Sequence, residues 1–205
     1  IIFLEDSMKR IFGTAFAVVL AGALVGCGST KATGDARDTS AYQQNQELNR
    51  PVWVGQQFKS GWNKGGYYWK GPIDEAGYFA SGEAKYGDVK SSTTAADLDG
   101  KAQIAFYVKQ EINAIAQQES EAAGADGEAQ KELKDFQSAV ASVKISGILR
   151  ADRFIGEDGT VYVLMFVPDA EIKKALPANS EFAKKVVDKY INSLSEENES
   201  TTSAE

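Results

Sequence analysis

The chain contains no histidine and a single cysteine, Cys27. The first absence removes Ser-His-Asp and Cys-His nucleophile pairs and every histidine-containing metal site. There is no GxxxxGKS/T loop and no GxGxxG run after a strand. What remains is carboxylate chemistry, in which two acids divide the roles of proton donor and nucleophile or base, as in glycosidases. Its candidates are Glu83, Asp97, Asp99, Asp152, Glu157 and Asp158. Most of these also have a structural assignment. Asp97 stands three residues after Thr94, the spacing of a helix capping box. Glu157 and Asp158 occupy a turn bounded by glycines. Glu83 and Lys85 are two apart on a strand and share a face, where cross-strand partners can balance them. Asp97-Leu98-Asp99-Gly100 lacks the spacing and terminal Glu of a calcium loop. Arg150, Asp152 and Arg153 read as surface ion pairing. The expectation is a non-enzymatic protein with no cofactor and no metal site.

A second group of residues is suited to binding. All three tryptophans, Trp53, Trp62 and Trp69, fall within residues 51–72, with Phe58, Tyr67 and Tyr68, and glycines interrupt them. No helical or strand period is clear in this arm. One reading is an irregular arm that wraps the domain and buries its rings as core. The other is an aromatic platform for a glycan, a peptide or a partner protein, since Trp and Tyr dominate interface hot spots. The candidate surface is Trp53, Trp62, Tyr67, Tyr68 and Trp69. Burial decides between the two readings.

Cys27 belongs to a different chemistry. Residues 11–26 are apolar and uncharged, Lys9 and Arg10 precede them, and small residues close them. That is the order of an export signal, and the run is shorter than the roughly 18 apolar residues of a spanning helix. Met8 reads as the true start, because Glu5 and Asp6 are foreign to a basic n-region. Leu24-Val25-Gly26-Cys27 resembles a bacterial lipobox, in which cleavage between Gly26 and Cys27 frees a cysteine that is then lipidated. The resemblance implies a diacylglyceryl group on the sulfur and commonly an amide-linked chain on the nitrogen. Two hydrophobic signals of that kind anchor durably where one acyl chain does not. Gly28 after the cysteine implies sorting to the outer membrane. The alternative is a short uncleaved anchor with an incidental cysteine, and both readings place the domain at a membrane.

Charge narrows the partners. The net charge is −7, and removing residues 1–26 leaves it unchanged because Lys9 and Arg10 balance Glu5 and Asp6. An acidic chain is a poor candidate for nucleic acid and for electrostatic docking to anionic lipid. The expected partners are the membrane, through the N-terminal lipid, and another envelope protein or the cell wall. One cysteine allows no intrachain disulfide, so the fold must hold by its core.

The elements that would position these residues read as follows. Residues 27–50 are polar and form a disordered tether, from which the domain floats near the membrane. The globular part is 51–194. Residues 77–86 are a strand. A helix starts at the Thr94 cap with Leu98, Ala102, Ala105, Val108, Ile112 and Ile115 on its core face. Phe106 flanks that face and Tyr107 points away. Residues 124–127 break the chain before a second helix with Ala129, Leu133, Phe136 and Val140 in one stripe, ending near Ser142. Residues 144–155 and 160–167 are strands joined by a Gly- and Asp-containing turn. The second is apolar on both parities and so is central, covered on both faces. Residues 169–176 are a helical turn. Asn179 or Ser180 caps a last helix with Phe182, Val186, Tyr190 and Leu194 in a stripe. Residues 195–205 are an acidic, disordered tail. The fold class is α+β: a single domain with a small antiparallel or mixed sheet of about three strands, in the order β-α-α-β-β-α, with helices packed on it.

The strand Gly82-Glu83-Ala84, the helix AADLDGKAQIA at 95–105, ILRADRFI at 148–155 and EDGTVYVL at 157–164 together resemble the LPP-twenty lipoprotein family. The resemblance covers about residues 77–167. It implies an α+β domain and a non-enzymatic envelope role, in some members within motility structures or at the cell surface. It carries no catalytic residues to this chain, and the aromatic arm lies outside it.

Overall fold

The computed structural model describes residues 39–124 and 127–195. The apolar run, the lipobox, Cys27 and the tail beyond Ser195 lie outside the described residues. Among those described, the elements in chain order are α1 (Thr39–Glu47), β1 (Gln57–Lys59), β2 (Gly77–Ala84), α2 (Val89–Ala122), α3 (Gly127–Ser142), β3 (Leu149–Ile155), β4 (Val161–Pro168), α4 (Asp169–Ala175) and α5 (Glu181–Ser195). Two 3₁₀ turns, Ser60–Trp62 and Lys64–Gly66, follow β1. They make one α+β domain with a four-stranded antiparallel sheet in the order β1-β2-β4-β3.

The strand β4 is central because its sequence is apolar on both parities. Every residue from Val161 to Val167 is buried. Val161, Val163, Met165 and Val167 join the core under the helices, whereas Tyr162, Leu164 and Phe166 join a second core under the aromatic arm. Strand alternation sends these two sets to opposite faces. The sheet is therefore a partition between a mixed, largely aliphatic layer and an aromatic one. Both of its edges are blunted. β1 is three residues long, and β3 carries a register shift at Ala151 and the charges Arg150, Asp152 and Arg153, which discourage strand addition.

The long helix α2 begins earlier than the Thr94 spacing predicts. Asp88 is its N-cap, accepting from the Ser91 amide at 2.9 Å. The hydroxyl of Thr94 instead donates back to the Lys90 carbonyl, so the Thr94–Asp97 capping box does not form. The buried row is Ser92, Ala96, Gly100, Ile104, Val108, Ile112 and Ala116. Leu98 is exposed, and Tyr107 rather than Phe106 packs on the core. The reason is close approach to the sheet. A Cβ at Gly82 would run into the Gly100 amide nitrogen and the Ala96 carbonyl oxygen. Only small residues fit there, and they carry no apolar signal.

The remaining elements follow from local chemistry. α3 returns along α2 with Phe136 and Val140 buried, and the Lys109 ammonium donates to the Ala141 carbonyl at 2.8 Å. α5 packs its Val186, Tyr190 and Leu194 stripe inward, and Ser180 Oγ accepts from the Ala183 amide at 3.0 Å. β3 starts at Leu149, not at residue 144, because Gly147 takes a left-handed φ of 72° and ends any extended run before it.

One correction falls on the tether. Residues 39–47 are helical rather than disordered. This helix has no apolar stripe. It is held by polar and aromatic contacts: the Asn45 carboxamide donates to Val54 O at 2.8 Å, and Tyr42 stacks on Tyr67 at 4.6 Å.

Candidate functional site

The aromatic arm is the element that combines burial with exposure. Phe58 on β1 faces Phe79 on β2, which faces Phe166 on β4, giving a row of rings across three strands. Tyr68 stacks on Phe58 at 4.9 Å and Trp69 leans on Phe79 at 5.5 Å. Trp53 is 2 % exposed, and its indole N–H donates to Asp152 at 3.2 Å. Trp53 and Tyr68 are therefore core, and Tyr67 and Trp69 are half-buried. Trp62 stands apart at 44 % exposed. Of the five candidate surface residues, the structure withdraws Trp53 and Tyr68 into the interior because the outer face of the sheet needs an apolar cover. It leaves Trp62 outside, with the rims of Tyr67 and Trp69.

The loop bearing these rings is closed by one side chain. Asn63 Oδ1 accepts the amides of Tyr68 and Trp69 at 2.7 and 3.1 Å, and Asn63 Nδ2 donates to the Trp69 carbonyl at 2.6 Å. Gly65 and Gly66 turn the chain at positive φ, 64° and 67°, a region that only glycine enters freely. Lys64 and Lys70 are exposed on this loop, and the stem of Lys70 lies against Gly66. The Lys59 ammonium lies 5.9 Å from the centre of the Trp62 ring and 3.8 Å from Glu111.

The six carboxylates do not converge. Asp97 pairs with Arg150 at 3.3 Å on the helical side of the sheet. Asp152 serves Trp53 on the other side. Asp99 accepts the backbone amide of Glu83 at 2.9 Å, and the Glu83 side chain is exposed. Asp158 accepts the Thr160 amide and hydroxyl at 3.0 and 2.7 Å and pairs with Lys85 at 3.3 Å. Those bonds, the hydroxyl first, hold it down at about 2, as expected for a carboxylate that accepts several donors. Glu157 is exposed in the turn. The Arg150, Asp152 and Arg153 cluster is divided, with the bulge sending Arg150 and Asp152 to opposite faces.

A polar group that sequence reading did not anticipate lies where β1, β2, α2, α4 and α5 meet. The Tyr78 hydroxyl donates to Glu111 at 3.4 Å. Burial and then Glu111 push both Tyr78 and Tyr190 above the usual phenol range. Asp169 is raised to about 6, mainly by burial and then by Glu75, with Lys59 opposing. The signal available was Tyr190 within the apolar stripe of α5, whose buried hydroxyl calls for polar neighbours. Farther along α2, Glu119 is buried and bound by Lys185 at 2.6 Å and Lys189 at 2.7 Å, which lower it and tie α2 to α5.

No protein-family model, curated protein or solved structure matches this chain.

Proposed function

We propose that this is a lipid-anchored bacterial envelope lipoprotein of the LPP-twenty kind. Its globular domain has a non-enzymatic structural or interaction role at the outer membrane or cell surface. The reading rests on one observation, the export-signal pattern that ends in Leu24-Val25-Gly26-Cys27. The association of some LPP-twenty members with motility structures makes a flagellar role one form of it. One result supports an interaction role: Trp62 is presented outward. The test is metabolic labelling with palmitate followed by fractionation. Label on the wild-type chain, no label on Cys27→Ala, and recovery in the membrane fraction are expected. Recovery of unlabelled wild-type chain in the soluble cytoplasm would refute it.

A second reading is favoured by the exposed Trp62 beside the half-buried Tyr67 and Trp69. The arm then binds a cell-wall glycan or a small ligand. Co-sedimentation with purified cell wall that is lost in Trp62→Ala would support it.

A further inference from the structure

The net charge of −7 conceals a local reversal. From Leu48 to Ile73 there is no acidic residue, and the same stretch holds Arg50, Lys59, Lys64 and Lys70. Arg50 lies over the Tyr162 ring at 5.1 Å and Lys59 is engaged by Glu111. Lys64 and Lys70 are exposed and have no ion-pair partner among the described residues. They share the Asn63-closed loop with Trp62. Two ammonium groups without an ion-pair partner on the loop that follows an outward indole suit a bilayer interface, where indole and lysine side chains keep an apolar body and a polar tip in separate layers.

The loop also adjoins α1, the first element of the described residues. Tyr42 in α1 stacks on Tyr67 within this loop. Residues 27–38, between the cysteine and α1, span no more than roughly 40 Å when fully extended. Two lysines hold a free protein to a membrane only weakly, by a factor of about 5 each. A tether makes the same contact intramolecular, with an effective concentration that short linkers raise to the millimolar range.

We propose that the loop of Trp62, Lys64 and Lys70 docks on the anionic headgroups of the leaflet that holds the Cys27 lipid, so that the domain lies on the membrane instead of floating above it. This rests on the anchoring reading above, and the two are tested apart. The mature chain, which begins at Cys27, is coupled through that residue, its only cysteine, to a maleimide lipid in vesicles containing brominated acyl chains. Acylation of Cys27 is determined separately by the mass of its peptide from cell membranes. Absence of acylation removes the anchor and leaves the vesicle result standing by itself.

In vesicles of equal phosphatidylcholine and phosphatidylglycerol, tryptophan quenching is expected that disappears in Trp62→Phe. The ratio of docked to free domain should fall about 5-fold in Lys64→Gln or Lys70→Gln and about 25-fold in the double variant. High salt should release the domain. Unchanged circular dichroism of each variant verifies its fold. Equal quenching in phosphatidylcholine alone, or a double variant that docks like wild type, overturns the proposal. So does shielding of Trp62 by a soluble anionic glycan with no dependence on phosphatidylglycerol, which would make the glycan the occupant.

Discussion

Asp169 carries the clearest electrostatic consequence at the scale of single residues. Its carboxyl is half-buried, and its pKa is raised from 3.8 to about 6 by burial and Glu75. The folded state therefore holds a proton that the unfolded chain releases. Stability from this group is present below about pH 4 and is lost as pH rises through about 6. After discount for its partial exposure the effect is of order 1–2 kcal/mol. Asp169→Asn should raise the urea midpoint at pH 7 and leave it nearly unchanged at pH 4. The tryptophans give a second contrast. Trp53→Ala removes a buried ring and its hydrogen bond to Asp152, so a loss of about 3–5 kcal/mol is expected. Trp62→Ala should stay within about 0.5 kcal/mol. Denaturant titration of the two variants reads both values.

The contact of α2 with β2 decides the tolerance of the helical layer. Gly82→Ala forces the helix away from the sheet at Ala96 and Gly100, and a loss of about 2–4 kcal/mol is expected, from strain and reduced packing. Leu98→Ser on the same helix should be nearly neutral, because Leu98 is exposed. Thermal melts of the pair test this assignment of the buried row. The same contact shows where reading a sequence reaches its limit. β4 was legible because its neighbours bury both parities. α5 and α3 were legible because their stripes use large residues at helical spacing. The inner row of α2 was legible at Val108 and Ile112 but not in its first turns, because the closest approach selects Ser92, Ala96 and Gly100, and a reader who follows large apolar residues is drawn to Leu98. α1 was missed because an amide and one stacked tyrosine hold it, not an apolar face. In the candidate site the aromatic composition of the arm was plain, but its division into core and surface depends on β1, a three-residue strand with no periodic signal.

Opposing titrations meet in the molecule as a whole. Glu119, Asp88 and Asp158 are all lowered by the donors they accept from, so the stability they contribute is lost as pH falls. Asp169 works in the other direction. Melting temperature should therefore rise as pH falls from about 7 to about 5 and drop again below about 4. A rise between pH 7 and 5 that persists unchanged in Asp169→Asn would show that Asp169 is not its source. The partition of the molecule by its sheet has a further consequence for such measurements. All three tryptophans belong to the arm, whereas α2, α3 and α5 stand on the opposite face. Intrinsic fluorescence thus reports one layer, and the far-ultraviolet helix signal, most of which comes from α2, α3 and α5, reports chiefly the other. The protein carries a built-in pair of independent reporters, and superimposable unfolding curves from the two would mean that neither layer survives without the other.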